Sequence, residues 1–266
     1  FSAAYSFLKS GGRLTGIHEL TGIKDKIRLL PSLLHFPGKL AEGLQYMGRI
    51  ARSGIPVRTR SMVREARGKN QLSEVLVSRV DASGKPVPGT ESVLPVSHLA
   101  VGYGFVPNTE APRAAECNLE FNPELGGWVV EVNRELETTR PGIFAAGEIT
   151  GVGGALKSMD EGRTAALSIL NRLGKLNNRQ YHSRLNRQIR KRRHHLRFTR
   201  LFNRLFHPPG EIFSQLPDHT VICRCEKVTL GDLKKALRNH PRSPSELKTA
   251  VRIGMGSCQG RTCGPI

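Results

Sequence analysis

The chain has 266 residues, 38% of them hydrophobic, and a formal net charge of +19. That content suits one large or two to three modest globular cores, and no apolar run or opening signal pattern marks a membrane span or a secreted protein, so a soluble, cytoplasmic protein is expected. The charge looks like a nucleic-acid signature until it is mapped: twelve Lys and Arg lie between Arg172 and Arg204, and no acidic residue lies between Glu161 and Glu211.

The sequence opens FSAAYSFLKSGGRLTG, without an initiator Met and already in helical pattern, which reads as a fragment. Residues 3–10 form the end of a helix stopped by Gly11-Gly12, and 13–18 alternate as a strand ending at Glu19. A helix followed by a strand with an acid at its end is the second half of a Rossmann mononucleotide unit, in which the acid takes ribose hydroxyls. An ordinary strand-end Glu fits equally well. Apolar residues at Leu40, Leu44, Met47 and Ile50 then predict an amphipathic helix over 37–53, ended by Gly54. Strands at 55–59, 72–80 and 91–104 follow as a small meander. The last runs into GYGFVPN, where Gly102 and Gly104 allow close approach of backbone to a ligand or a second domain.

After a strand over 127–132 comes GIFAAGEITGVGGALKSMDEGRTAALSIL. It reads as a buried strand, Glu148 at its end, a glycine-rich bend through Gly147, Gly151, Gly153 and Gly154, and a helix from about residue 154. A carboxylate beside free backbone N–H groups at a helix N-terminus gives a hydroxyl acceptor next to positive potential, and a flavin's ribityl chain and pyrimidine edge need both. A strand–helix turn with an incidental Glu is the plainer alternative. Residues 171–209 interleave Leu185, Ile189, Leu196, Phe198, Leu201, Phe202, Leu205 and Phe206 with arginines, as one or two amphipathic helices do. Three roles fit: a helical linker lying on its own protein with a solvated basic side, a docking surface for an acidic partner or an anionic membrane, or a nucleic-acid binder. The first is favoured, and replacing Arg190, Lys191, Arg192 and Arg193 by Gln should then barely alter folding.

Four of five cysteines form two tight groups, CRC at 223–225 and CQGRTC at 258–263. Thiols stay reduced in a cytoplasmic setting, so metal ligation is favoured over disulfides. The short CxC bite argues against a zinc knuckle, although Cys258-x4-Cys263 alone would allow one; four thiolates suit an iron–sulfur cluster. VTLGDLKKAL predicts a helix with Thr229 as N-cap, and the glycine amides around the second pair are suited to donate to sulfur. Cys117 stands apart as a buried bystander.

TTRPGIFAAGEITGVGG resembles the second FAD-contacting motif of the pyridine nucleotide–disulfide oxidoreductase class, and GYGFVPNTE resembles that class's crossover between nucleotide and FAD domains. With LAEGLQYMGRIARSGIPV, LGGWVVEVN and CRCEKVT…GMGSCQGRTC, nearly the whole chain resembles the α-type subunits of opine oxidase, hydroxyproline/proline dehydrogenase and hydrogen cyanide synthase. The tail resembles the small helical 2Fe–2S domain of bacterioferritin-associated ferredoxin, in which the second pair is CxxC. The wider class usually has Asp where Glu148 stands, and no GxGxxG turn occurs in 1–266, so the resemblance covers an N-terminally truncated form.

The resemblance implies an α/β fold: a partial two-dinucleotide-domain flavoprotein with a helical linker and a small, mostly helical 2Fe–2S domain. The expected boundaries are 1–107 for the nucleotide-binding-like part, 108–172 for the FAD-binding part, 173–216 for the basic linker and 217–266 for the cluster domain. It implies FAD near Gly104, Gly147, Glu148, Gly153, Gly154 and Ala155. A 2Fe–2S cluster is expected on Cys223, Cys225, Cys258 and Cys263, each sequence pair serving one iron. Glu19 is the contact expected for NAD(P) or another adenine nucleotide. The implied function is electron relay from oxidation of an amino-acid-type C–N bond by an FAD-dependent β-type partner subunit to an acceptor the sequence does not identify. The competing reading is a non-enzymatic zinc- or cluster-binding module with a basic interaction arm.

Overall fold

The structure, a computed structural model, describes residues 1–209, 211–261 and 263–264. Helix α1 (Ser2–Lys9) leads to β1 (Ile17–Glu19), then α2 (Ile23–Leu33), α3 (Pro37–Arg52) and β2 (Val57–Thr59). β1 and β2 pair in parallel, Ile17 opposite Val57 and Glu19 opposite Thr59. Such pairing needs a crossover, which α2 and α3 provide. β3 (Ser61–Arg67), β4 (Glu74–Arg79) and β5 (Ser92–Pro95) form an antiparallel sheet in that order. Val75 and Val77 of β4, the middle strand, are buried.

The second part begins with α4 (Glu110–Ala114) and the hairpin β6 (Leu119–Asn122) and β7 (Gly127–Val130), joined by a 3₁₀ turn at Pro123–Leu125. A small core of Cys117, Val130 and Ala145 lies beneath it, with Ile149 packed alongside. Cys117 is buried, as expected, and donates its thiol to buried Thr138 Oγ1 at 3.3 Å. No strand forms at 143–146; two isolated bridges, Val132 to Thr138 and Glu137 to Phe144, bring this segment to the 3₁₀ turn Glu148–Thr150. The helix α5 (Gly154–Arg172) starts just beyond it.

The basic segment forms one helix, α6 (Asn178–Phe206), which at 1.5 Å per residue is about 43 Å long. Asn177 caps it by accepting the Gln180 N–H at 2.8 Å. Its inner face is buried at Tyr181, Leu185 and Thr199, while the arginines point mainly outward. It packs along α5 and also reaches the first part: Phe36 packs on His194 and Phe198 at 4.7 and 5.3 Å between ring centroids, and Thr21 Oγ1 donates to Leu205 O at 3.0 Å. The segment therefore lies on its own protein.

The tail holds α7 (Glu211–Ser214), the short antiparallel pair β8 (Val221–Cys223) and β9 (Val228–Thr229), α8 (Leu230–Leu237) and α9 (Pro244–Val251). Its core is Ile222, Cys223, Val228 and Cys263, with Leu216, Leu230, Val251 and Ile253 against it. Two of these four buried core residues are cysteines. Among the described residues no helix is long and apolar enough to cross a membrane.

Candidate functional site

The bend after Ala145 is held by a buried charged network that the sequence pattern did not reveal. Lys157 and Glu161 lie one turn apart on α5, and both side chains are fully buried. Lys157 Nζ donates to Gly147 O at 2.7 Å, Gly151 O at 2.8 Å and Thr150 Oγ1 at 2.6 Å, and pairs with Glu161 Oε2 at 2.9 Å. Glu161 Oε2 also accepts the Gly147 N–H at 2.8 Å and the Thr150 hydroxyl at 2.6 Å, while Oε1 accepts Arg192 Nε of α6 at 2.7 Å. Burial lowers the Lys157 pKa, against the opposing pull of Glu161. A charge taken out of water needs this many partners, and here the partners are the two ends of the glycine-rich bend. The expectation that Arg192 could be neutralised with its neighbours does not hold, because Arg192 closes this buried pair.

The network aims Glu148 outward. Its carboxylate is exposed, and Oε1 accepts the N–H groups of Gly153 and Gly154 at 3.2 and 2.8 Å, so an anion sits on the N-terminus of α5. Among the described residues Oε2 accepts no hydrogen bond, which leaves it open to a hydroxyl.

The glycines have separate reasons. Gly147 (φ +96°) and Gly154 (φ +80°) occupy left-handed backbone, whereas Gly153 leaves no room for a Cβ: Thr199 Oγ1 would stand 2.7 Å from it and the Lys157 chain 3.0 Å. Gly153 thus makes room for α6. Ala155 is exposed on the first turn. Gly104 has φ +120° and open space around it, so its backbone conformation, and no close neighbour, requires glycine. Glu19 is bound to Lys26 and mostly buried, so a ribose there would displace that lysine.

In the tail, Cys223 is buried at the end of β8, and the N–H groups of Gly254, Glu226 and Cys225 point at its sulfur. These donors, Gly254 foremost, lower the Cys223 pKa and favour a thiolate. Cys263 shares a hydrogen bond with Cys223, and its own thiol is pushed up, first by burial. This contact joins one cysteine from each sequence pair. Cys258 acts electrostatically on both Cys263 and Arg261, and Cys225 receives the Ser257 hydroxyl at 3.8 Å. A Cβ on Gly256 would lie 2.3 Å from Cys225 Cβ, so glycine there lets the second loop close over the first. Among the described residues no three His, Cys, Asp or Glu side chains already form a coordination set. Ligands assembled by the metal itself are usual in small metal domains. The donor chemistry fits a Cys₄ iron–sulfur cluster: four thiols on two loops, sulfur-directed amides, and a close-packed glycine.

Residues 28–166 match the pyridine nucleotide-disulphide oxidoreductase family, and residues 221–265 match the BFD-like [2Fe-2S] binding domain. The chain belongs to this flavoprotein family. Its cofactors are accordingly FAD and a 2Fe–2S cluster. It is 32% identical to the hydrogen cyanide synthase subunit HcnB of Pseudomonas aeruginosa over 255 residues, covering 96% of this chain and 54% of HcnB. It is 31% identical to an opine oxidase subunit of Rhizobium meliloti strain 1021 over 245 residues, covering 91% of this chain and 51% of that one. The chain thus spans about half the length of these relatives. The crystal structure of L-proline dehydrogenase from P. horikoshii shares the fold, with a TM-score of 0.57 at 19% identity over 82% of this chain and 40% of that one.

Proposed function

We propose that this oxidoreductase chain relays electrons from an amino-acid-type C–N bond, oxidised at a partner subunit, through FAD at the Glu148 turn to a cluster on Cys223, Cys225, Cys258 and Cys263. The observation that carries the reading is the presence, in one chain, of a rigidly held flavin-type turn and a thiolate-favouring cysteine loop. Bound FAD supplies two-electron redox chemistry, and the cluster a one-electron carrier. This chain's residues position and polarise. Glu148 Oε2 would accept a ribityl hydroxyl, the first turn of α5 would present positive potential to the flavin, and Lys157 with Glu161 keeps the bend from relaxing. In the tail, the amides of Gly254, Glu226 and Cys225 stabilise negative charge on Cys223 sulfur. The division into a nucleotide-like part (1–107), an FAD part (108–172), a linker (173–216) and a cluster part (217–266) belongs to the same proposal. Two relatives are named as subunits, one of a cyanide synthase and one of an opine oxidase, which supports a small amine substrate handled by a partner subunit.

Protein purified without oxygen should contain about two irons and two acid-labile sulfides per chain, and Cys→Ser at any of the four ligands should abolish both. Cys117→Ser should leave them intact. One zinc per chain with no sulfide would return the tail to a zinc module.

A further inference from the structure

Among the described residues, two exposed ion pairs join the cysteine-bearing tail to the rest of the chain. At its start, Lys85 pairs with Glu211 at 3.1 Å, and Ile212 covers Gly84 so closely that a Cβ there would lie 2.7 Å from Ile212 Cγ1. This contact tethers α7 to the meander. The second pair lies in the cysteine loop itself. Arg261, between Cys258 and Cys263, grips Glu110 with both arms of its guanidinium: Nε donates to Oε1 at 2.6 Å and Nη2 to Oε2, across 151 positions of sequence.

Glu110 begins α4 and closes the GYGFVPNTE segment. That segment leads back to the flavin-type turn. A Cβ on Gly126 would lie 3.1 Å from the carbonyl of Phe105 and 2.9 Å from Val152, and Val152 N–H donates to Leu125 O at 2.8 Å. The cysteine loop reaches Glu110, the chain runs back from there to Phe105, and the Phe105 backbone lies against Gly126 beside Val152, so the two sites are connected in series.

We propose that Glu110 is a positioning residue whose two-pronged pairing with Arg261 docks the cysteine loop on the segment leading to the Glu148 turn, in the orientation for electron exchange between the two centres. The docking claim stands on the contact itself; what it positions rests on the function proposed above. Both side chains are exposed, so the pair adds little stability, but a fork of two parallel hydrogen bonds admits one orientation. Electron-transfer contacts are characteristically small and weak, and charge complementarity supplies their specificity. Arg261 also lies in the field of Cys258 sulfur, so the charge that holds Glu110 acts on a cluster ligand as well. In each transfer one electron leaves the reduced flavin and enters the oxidised cluster; a second transfer requires the cluster to have passed the first to an external one-electron acceptor. The added negative charge draws on the same guanidinium that holds Glu110, so reduction loosens the dock. By linkage, docking lowers the cluster's reduction potential.

Hydrogen exchange of the cluster-loaded chain tests the docking without reference to flavin. Glu110→Arg should speed amide exchange severalfold in both 109–114 and 256–261, with iron and sulfide content unchanged, and adding Arg261→Glu should restore protection. Unchanged exchange in both segments overturns the proposal. In the holoenzyme, one-electron photoreduction of the flavin should be followed by cluster reduction at least tenfold slower in Glu110→Arg, with Glu110→Asp retaining most of the rate and Glu110→Gln raising the cluster potential. A wild-type rate in an undocked variant overturns the positioning role. A wild-type holoenzyme that never passes an electron from flavin to cluster would instead refute the proposed function and leave the exchange result standing.

Discussion

Among the described residues Lys157 is the largest fully buried side chain, and its ammonium holds both ends of the bend that presents Glu148. Removing one partner of a buried ion pair costs about 3–5 kcal/mol, because the other charge stays buried without compensation. Glu161→Gln should therefore destabilise the protein by an amount of that order in denaturant unfolding. Arg190→Gln, Lys191→Gln and Arg193→Gln should each stay within about 0.5 kcal/mol. A pH signature follows. The folded Lys157 pKa lies below its usual 10.5, so between the two values the unfolded chain binds more protons. Stability then rises with pH across that window. Relative to wild type, Lys157→Met should lack this rise, as urea midpoints measured across alkaline pH will show. None of this was readable in the sequence: a Lys and a Glu four residues apart on a helix are ordinarily a solvated pair.

At the scale of elements, the tail helix α8 was legible in advance and the basic helix only in part. Thr229 and Asp232 form a reciprocal cap, the threonine hydroxyl accepting Asp232 N–H at 3.2 Å and the carboxylate accepting Thr229 N–H at 3.1 Å. The Thr229 hydroxyl also holds the Asp232 carboxyl below its usual pKa of 3.8. That contribution is fully present above pH 3.8 and is lost as pH falls through the lower folded value. Thr229→Ala should cost the tail about 1 kcal/mol and weaken this acid sensitivity, leaving the part due to the Thr229 N–H and Lys235, as thermal melts at stepped pH will show. The cap was visible because it is local. For α6 the periodicity announced an amphipathic helix, but not that a single helix would pack against α5 and also reach Phe36. Helix α2 went unassigned because Pro31 interrupts its pattern; in the structure its apolar residues Ile23, Ile27 and Leu30 are exposed. Strands β3 and β6 escaped too, since their burial alternates poorly with their residue types.

Across the whole molecule, stability is unevenly distributed. The tail core has four buried residues, two of them cysteines, whereas α5 and α6 are bolted together through Glu161, Asp160 and Gly153. A segment of roughly fifty residues buries too little apolar surface to stand alone, so metal ligation should contribute to its fold. Stripping the cluster with chelator and oxidant should raise amide exchange across residues 217–264 while the 154–206 helices keep their protection. Uniform loss of protection along the chain would show that the tail and the body unfold together.

The sequence by itself determined the chemistry: a glycine-rich bend with Glu148 at a helix start, a CxC and a Cx4C of thiols, a basic amphipathic segment and the local caps. These depend on residue types at short spacing, where backbone sterics and hydrogen-bonding reach decide the outcome. Only the tertiary structure decided which groups meet. It placed Lys157 and Glu161 inside the protein, assigned Gly153 to make room for Thr199, brought Cys223 to Cys263 across the two pairs, and joined Arg261 to Glu110. Contacts between residues far apart in sequence depend on how the elements pack. Exposed and buried charges have the same composition in the chain, and only desolvation distinguishes them.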